Sequence, residues 1–236
     1  IDGLTVTQNG TKNNFYIMSC FVFTVALVCL MSITETRERK YLHNRNFIKS
    51  IKFFLSMYKN PYYVFIPLLI AIPNTFFTIF NTNAPTILSN NFHVSPVLIG
   101  CFSSSLGIAY TIAIFFNLNF LNKKRSTKVI SSMTILFFIT AIIQFIFAVF
   151  NILNFYTLYV PMIFNVVIWG IMFPHILAHA LSVYKNDGGT VGSNLGFTFI
   201  IISGAATFFF GIFFKHNFLS IAQFTFIASF ITVILV

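Results

Sequence analysis

Asn74, Thr78 and Asn81 are uncharged hydrogen-bonding side chains spaced i, i+4 and i+7, so a helix through them stacks all three on one face. A second set, Asn165, Trp169, Met172 and His179, falls within a single arc at about 100° per residue. His175 lies beside that arc and forms an H-x-x-x-H pair with His179. Such a pair can titrate, bond neighbouring hydroxyls or contribute to a metal site, but two histidines alone make a poor metal centre and none is expected. Asn194 and Thr198, at i and i+4, are a third candidate set. Together these groups offer neutral hydrogen bonds and one indole face, which is the chemistry of binding. The four acids of the chain, Asp2, Glu35, Glu38 and Asp187, lie away from all three sets, and five histidines are too few for a histidine-box di-iron centre. The chain is not expected to be an enzyme or to need a cofactor.

The elements that must position these residues follow from composition. Of 236 residues, 57% are hydrophobic, 19% aromatic and only 8% charged, with mean hydropathy +0.87. A soluble domain carries about 25% charged residues to wet its surface, so the surplus apolar surface here must face lipid. The expected fold is all-α and polytopic. Seven stretches reach the roughly 20 apolar residues that a helix needs to cross a bilayer: about 15–33, 62–88, 97–120, 129–150, 156–183, 192–214 and 218–236. The net charge of +10 sits in alternate loops. Arg37, Arg39, Lys40, Arg45, Lys49, Lys52 and Lys59, then Lys123, Lys124, Arg125 and Lys128, then Lys185, account for twelve of the fourteen basic residues. By the positive-inside rule that side is cytoplasmic, which puts the N-terminus outside and Val236 inside. The excess therefore speaks of topology and the lipid bilayer, and no nucleic-acid partner is expected.

Residues 1–14 have neither the basic nor the apolar region of a secretory signal, so an N-out start suggests that further spans precede Ile1. The chain then divides into 1–33, a polar outer segment and the last helix of one bundle; 34–61, a basic cytoplasmic linker; and 62–236, a six-helix bundle. Within 46–60 the apolar Phe47, Ile48, Ile51, Phe54, Leu55 and Tyr58 share one face and Lys49, Lys52 and Lys59 the other, the pattern of an amphipathic helix on an anionic leaflet. Cys20, Cys29 and Cys101, odd in number and inside apolar runs, read as reduced packing residues. The 34 phenylalanines are spread over every span, so most are expected to face lipid, with no converging aromatic cage.

Pro67, Pro73 and Pro85 in the second span and Pro174 in the fifth are expected to kink their helices, which lipid tolerates only where protein or a cavity receives the freed carbonyls. The amide and hydroxyl stripes on these two helices then either line a cavity or bond neighbouring helices. The sole tryptophan, Trp169, stands at mid-depth instead of in the interfacial belt, which favours a substrate contact. Gly192-x-x-x-Gly196, Gly100-x-x-x-Ser104 and Ser103-x-x-x-Gly107 are small-residue pairs expected at close helix contacts.

These residues resemble a known family. Ile33-Thr34-Glu35-Thr36 is similar to the P-E-T end of a sixth helix, with Thr34 in place of proline; Asn60-Pro61-Tyr62 is similar to the entry of a seventh; and Val94-Ser95-Pro96 with Gly100 resembles V-S-P-x-x-x-G. Pro174-His175-Ile176-Leu177-Ala178-His179-Ala180-Leu181 and Gly189–Gly196 resemble P-N-A-x-A-x-A-L and A-G-x-A-S-A-L-x-G, with His175 where asparagine is usual. The chain thus resembles helices six to twelve of a major facilitator superfamily transporter, most closely the Bcr/CflA drug:proton antiporters. The resemblance implies a 6+6 bundle, alternating access, and a cavity lined partly by spans 62–88 and 156–183. It also implies a bacterial inner-membrane location, protons and a weakly polar or amphipathic drug as partners, and a missing N-terminal six-helix half. The expected function is proton-coupled multidrug efflux; the alternatives are a carrier for a specific metabolite or a non-functional remnant of a split transporter gene.

Overall fold

A computed structural model describes residues 11–32, 51–52, 55–59, 61–121, 125–152, 154–183, 188–214 and 217–236. It is all-α: α1 (Thr11–Ser32), α2 (Tyr62–Phe92), α3 (Pro96–Phe116), α4 (Ser126–Val149), α5 (Phe155–Val183), α6 (Gly188–Phe213) and α7 (Phe218–Leu235). A π-helical turn, Asn117–Leu121, continues α3. All seven helices are long and apolar enough to cross a membrane, as the composition demands. Of the topology residues, Arg125 is exposed at the start of α4, while Arg37, Arg39, Lys40, Lys123 and Lys124 lie outside the described residues, as do all four acids.

Helix ends follow local chemistry. The Ser95 hydroxyl accepts from the Leu98 amide at 3.4 Å with Pro96 as the first helical residue, so V-S-P starts α3. His93, at φ 50°, closes α2 in the left-handed region. Asn154 and Thr157 form a capping box at α5: Asn154 Oδ1 accepts from Thr157 N at 2.8 Å, and Thr157 Oγ1 from Asn154 N at 2.9 Å. Asn217 Oδ1 accepts from Ser220 N at 2.9 Å to begin α7.

The helix contacts obey a simple exchange. The main packed pairs are α2 with α3, α5, α6 and α7; α5 with α3, α4 and α6; and α4 with α7. Swapping α2 with α5, α3 with α6 and α4 with α7 returns the same set. Equivalent helices are three crossings apart and so run in opposite directions. The contact pattern is therefore that of two inverted three-helix units, α2–α4 and α5–α7. The first helix of each unit is central: 50% and 56% of the spanning windows of α2 and α5 are buried, against 11% and 17% for α3 and α6. α2 and α5 are also the helices with internal prolines, Pro67, Pro73 and Pro85 in one and Pro161 and Pro174 in the other, and each continues as helix through them. Burial within protein is what makes their unpaired carbonyls tolerable.

Several expectations need correction. Cys20, Cys29 and Cys101 are exposed, where packing within the bundle was expected. Residues 15–32 of α1 are exposed along their whole length. Gly107 and Gly196 have nothing within 4 Å of where a Cβ would stand, and Gly192 meets only Leu181 Cδ2 at 4.0 Å. Ser104 is exposed and donates to the Gly100 carbonyl at 2.9 Å. Close approach within the bundle falls instead at Gly170, where a Cβ would stand 2.9 Å from Ala113 Cβ and 3.1 Å from the Tyr110 carbonyl. Its absence lets α5 lie directly on α3.

Candidate functional site

The structure does not gather the candidate residues into one cavity. It distributes them among three neighbours of the central pair α2 and α5. Asn74, half-buried, donates through Nδ2 to Ser203 Oγ at 3.1 Å, and Ser203 donates to the Ala71 carbonyl at 3.1 Å, so this amide ties α2 to α6. Thr78 and Asn81 return their protons to their own helix, at the carbonyls of Asn74 (2.9 Å) and Phe77 (2.9 Å). Asn81 also lines a crevice with Pro85, Ser103 and Tyr159 on the α3 side. The stripe seen in sequence therefore serves helix association at Asn74 and its own backbone elsewhere.

Asn194 and Thr198 hold the end of the linker. Tyr58 donates to Asn194 Oδ1 at 2.6 Å and is hydrogen-bonded to Thr198, while Asn194 Nδ2 donates to Met57 Sδ at 3.2 Å. Met57 is 2% exposed and packs with Ile66, Ile70, Met172 and Leu195. Tyr58, expected on a lipid-facing surface, is instead turned onto α6. Most of the amphipathic segment expected over 46–60 lies outside the described residues.

His175 is a structural hub. The π turn sets Asn117 inward, and His175 Nε2 lies 2.8 Å from Asn117 Oδ1 and Nδ1 3.3 Å from Ser126 Oγ. A carbonyl oxygen can only accept, so Nε2 carries the proton and Nδ1 accepts from Ser126. Both nitrogens are thereby committed, and among the described residues no three His, Cys, Asp or Glu converge. His179, half-buried nearly three turns beyond Trp169, does not line the pocket described next. His175→Leu should cost about 1–3 kcal/mol by leaving Asn117 buried and unpaired, and His175→Gln, which can still donate to it, should recover part of that. Thermal unfolding in detergent measures both; equal midpoints for wild type and the leucine variant would remove the hub.

Asn165 and Trp169 do come together. They line a pocket of about 10 Å³ at the seam of the two units, with Pro73, Phe76 and Phe77 of α2, Phe137 of α4, and Met162 and Val166 of α5. Here Phe76, Phe77, Phe137 and Trp169 line one pocket, contrary to the expectation from their even spread, with the Phe76 and Phe137 centroids 6.2 Å apart. A sequence lists the rings but not which of them face one point. Asn165 is 3% exposed; its Oδ1 accepts from the Thr140 hydroxyl, while its Nδ2 is buried with no partner. Gln144 on α4, which drew no attention in the sequence, is fully buried with both Nε2 and Oε1 unpaired. A lone amide in an apolar run was signal enough to mark it.

A larger groove of about 360 Å³ runs between α4 and α5, lined by Thr140, Ile143, Phe147, Tyr156, Val160 and Phe164 among others. Ile143, Tyr156, Val160 and Phe164 are all exposed, so this groove opens on the outer surface of the bundle, and the polar group it shares with the interior, Thr140, is already engaged. The small pocket, with its unmet donor, is the better candidate site. Comparison of the chain with protein-family profiles, with curated proteins and with solved structures gave no match.

Proposed function

We propose that this chain forms one half of a secondary transporter of the major facilitator type that exports weakly polar drugs by proton antiport. The observation that carries the reading is the exchange of contacts between two inverted three-helix units, with the proline-bearing first helices meeting at a pocket on their seam. Inverted repeats with a site between them and interrupted helices around it are the construction of alternating-access carriers. The lining residues of the pocket are uncharged, which suits a neutral or weakly polar solute, because a buried ion would need a partner. In this reading the N-terminal side of α1 is outside, the basic loops face the cytoplasm of a bacterial cell, and a preceding six-helix half supplies the opposing cavity wall and the carboxylate for protons.

The test is drug-driven proton movement in energised inside-out vesicles from cells expressing the chain with its upstream half. Addition of a transported drug is expected to collapse part of the pH gradient, and a protonophore to abolish drug accumulation. No proton movement and no accumulation across a broad panel of neutral and cationic drugs would reject the function.

A further inference from the structure

The seam pocket has a chemical preference that its lining dictates. We infer that it recognises a neutral aromatic or alicyclic molecule through one carbonyl or ether acceptor, and that Asn165 Nδ2 is the group that reads it. This rests on the transporter reading above only for its physiological meaning, since the recognition itself is an equilibrium property of the pocket.

With Oδ1 held by Thr140, the donor is the one uncommitted end of the Asn165 amide, and it is buried. A buried donor without an acceptor is an unfavourable state that a ligand oxygen relieves, so an acceptor-bearing ligand gains relative to its hydrocarbon analogue. The surrounding faces are Phe76, Phe77, Phe137 and Trp169, which offer stacking to a ring. Aromatic faces alone would also attract an organic cation. The donor argues against that, because an N–H presents its positive end to the pocket and no lining residue supplies a counter-charge. An anion is disfavoured by the same lack of a partner.

The pocket volume of about 10 Å³ is that of one water-sized group, so a carbonyl oxygen fits at Asn165 as the structure stands, and the ring behind it requires the walls to part. Two lining residues make that opening accessible. Met162 is unbranched and adapts its shape readily, and Pro73 interrupts the hydrogen-bond ladder of α2 where α2 forms the wall, so bending there breaks no bond at that residue.

Trp169 is the only tryptophan in the chain and lines the pocket, so its fluorescence reports occupancy directly. The chain in lipid nanodiscs would be titrated with three brominated probes whose bromine quenches indole on contact: 4-bromoacetophenone, a neutral acceptor; 4-bromoethylbenzene, its hydrocarbon analogue; and 4-bromophenyl-trimethylammonium, a cation. The ketone is expected to quench saturably with a dissociation constant about tenfold below that of the hydrocarbon, the ratio that one relieved donor yields. In Asn165→Leu the gap should close, with the hydrocarbon unchanged. Thr140→Val, which frees the amide to turn, should narrow the gap even if the leucine variant does not fold. The ammonium should not saturate. Equal affinities of ketone and hydrocarbon in the wild type, a gap that survives in Asn165→Leu, or tightest binding of the ammonium would each overturn the assignment. A chain that shows the gap but moves no protons in vesicles keeps this site and loses the transporter reading; one that exports drugs without the gap does the reverse.

Discussion

Trp169→Ala is expected to destabilise the bundle by about 3–5 kcal/mol, the usual result of deleting a large buried aromatic ring. Trp169 is 8% exposed and belongs to the cluster with Ile70, Met172, Ile176 and Leu195 that joins α2, α5 and α6. At about 2–4 °C per kcal/mol for a chain of this size, its unfolding midpoint in detergent should fall by roughly 6–20 °C. Loss of transport in the alanine variant would therefore say little about substrate. Trp169→Phe is the informative change: it keeps most of the packing, so its midpoint should stay within about 5 °C of wild type. Its export of aromatic drugs should nonetheless fall, because the larger indole face is gone. Unaltered export by a stable phenylalanine variant would take Trp169 out of the site and leave it as core alone.

The second large effect has the opposite sign. Gln144→Leu is expected to stabilise the protein by about 2 kcal/mol or more, because leucine fills nearly the same space without two unmet polar atoms, each of which costs about 1–3 kcal/mol when buried. The midpoint should rise by several degrees, at about 2–4 °C per kcal/mol. Polar residues are kept in membrane interiors at the expense of stability where they act. Gln144 lies one turn from Thr140, whose hydroxyl holds the Asn165 amide. A more stable Gln144→Leu variant with lower transport would thus place Gln144 in the working polar seam; a lower midpoint would show that its amide is satisfied in the membrane.

Most of the secondary structure was legible because its cause is local. A bilayer requires uninterrupted apolar helices, and the seven spans, the V-S-P start of α3 and the breaks between helices all follow from residues within a few positions of each other. Which polar side chains would be partners was not legible. Asn74 and Asn165 look alike in sequence, both amides on proline-bearing helices, yet one is bonded to Ser203 and the other keeps a free donor. That difference depends on α6 and α4, more than a hundred and about twenty-five residues away respectively. The same holds for Tyr58, whose hydroxyl meets Asn194 across 136 positions of sequence, and for Gly170, a glycine outside any small-residue pair that has the tightest surroundings of the glycines described.

The amino-acid sequence by itself determined that this is an all-α chain of membrane-crossing helices and which of them, α2 and α5, carry the polar groups and prolines that must be shielded from lipid. Hydrophobicity and backbone hydrogen bonding act residue by residue, so composition and spacing express them directly. Tertiary structure alone decided that the two helices meet as equivalent members of inverted units, that four scattered rings converge there, and that Asn165 is left with an unmet donor. Convergence in space is set by how helices pack, and packing depends on side chains from every element at once.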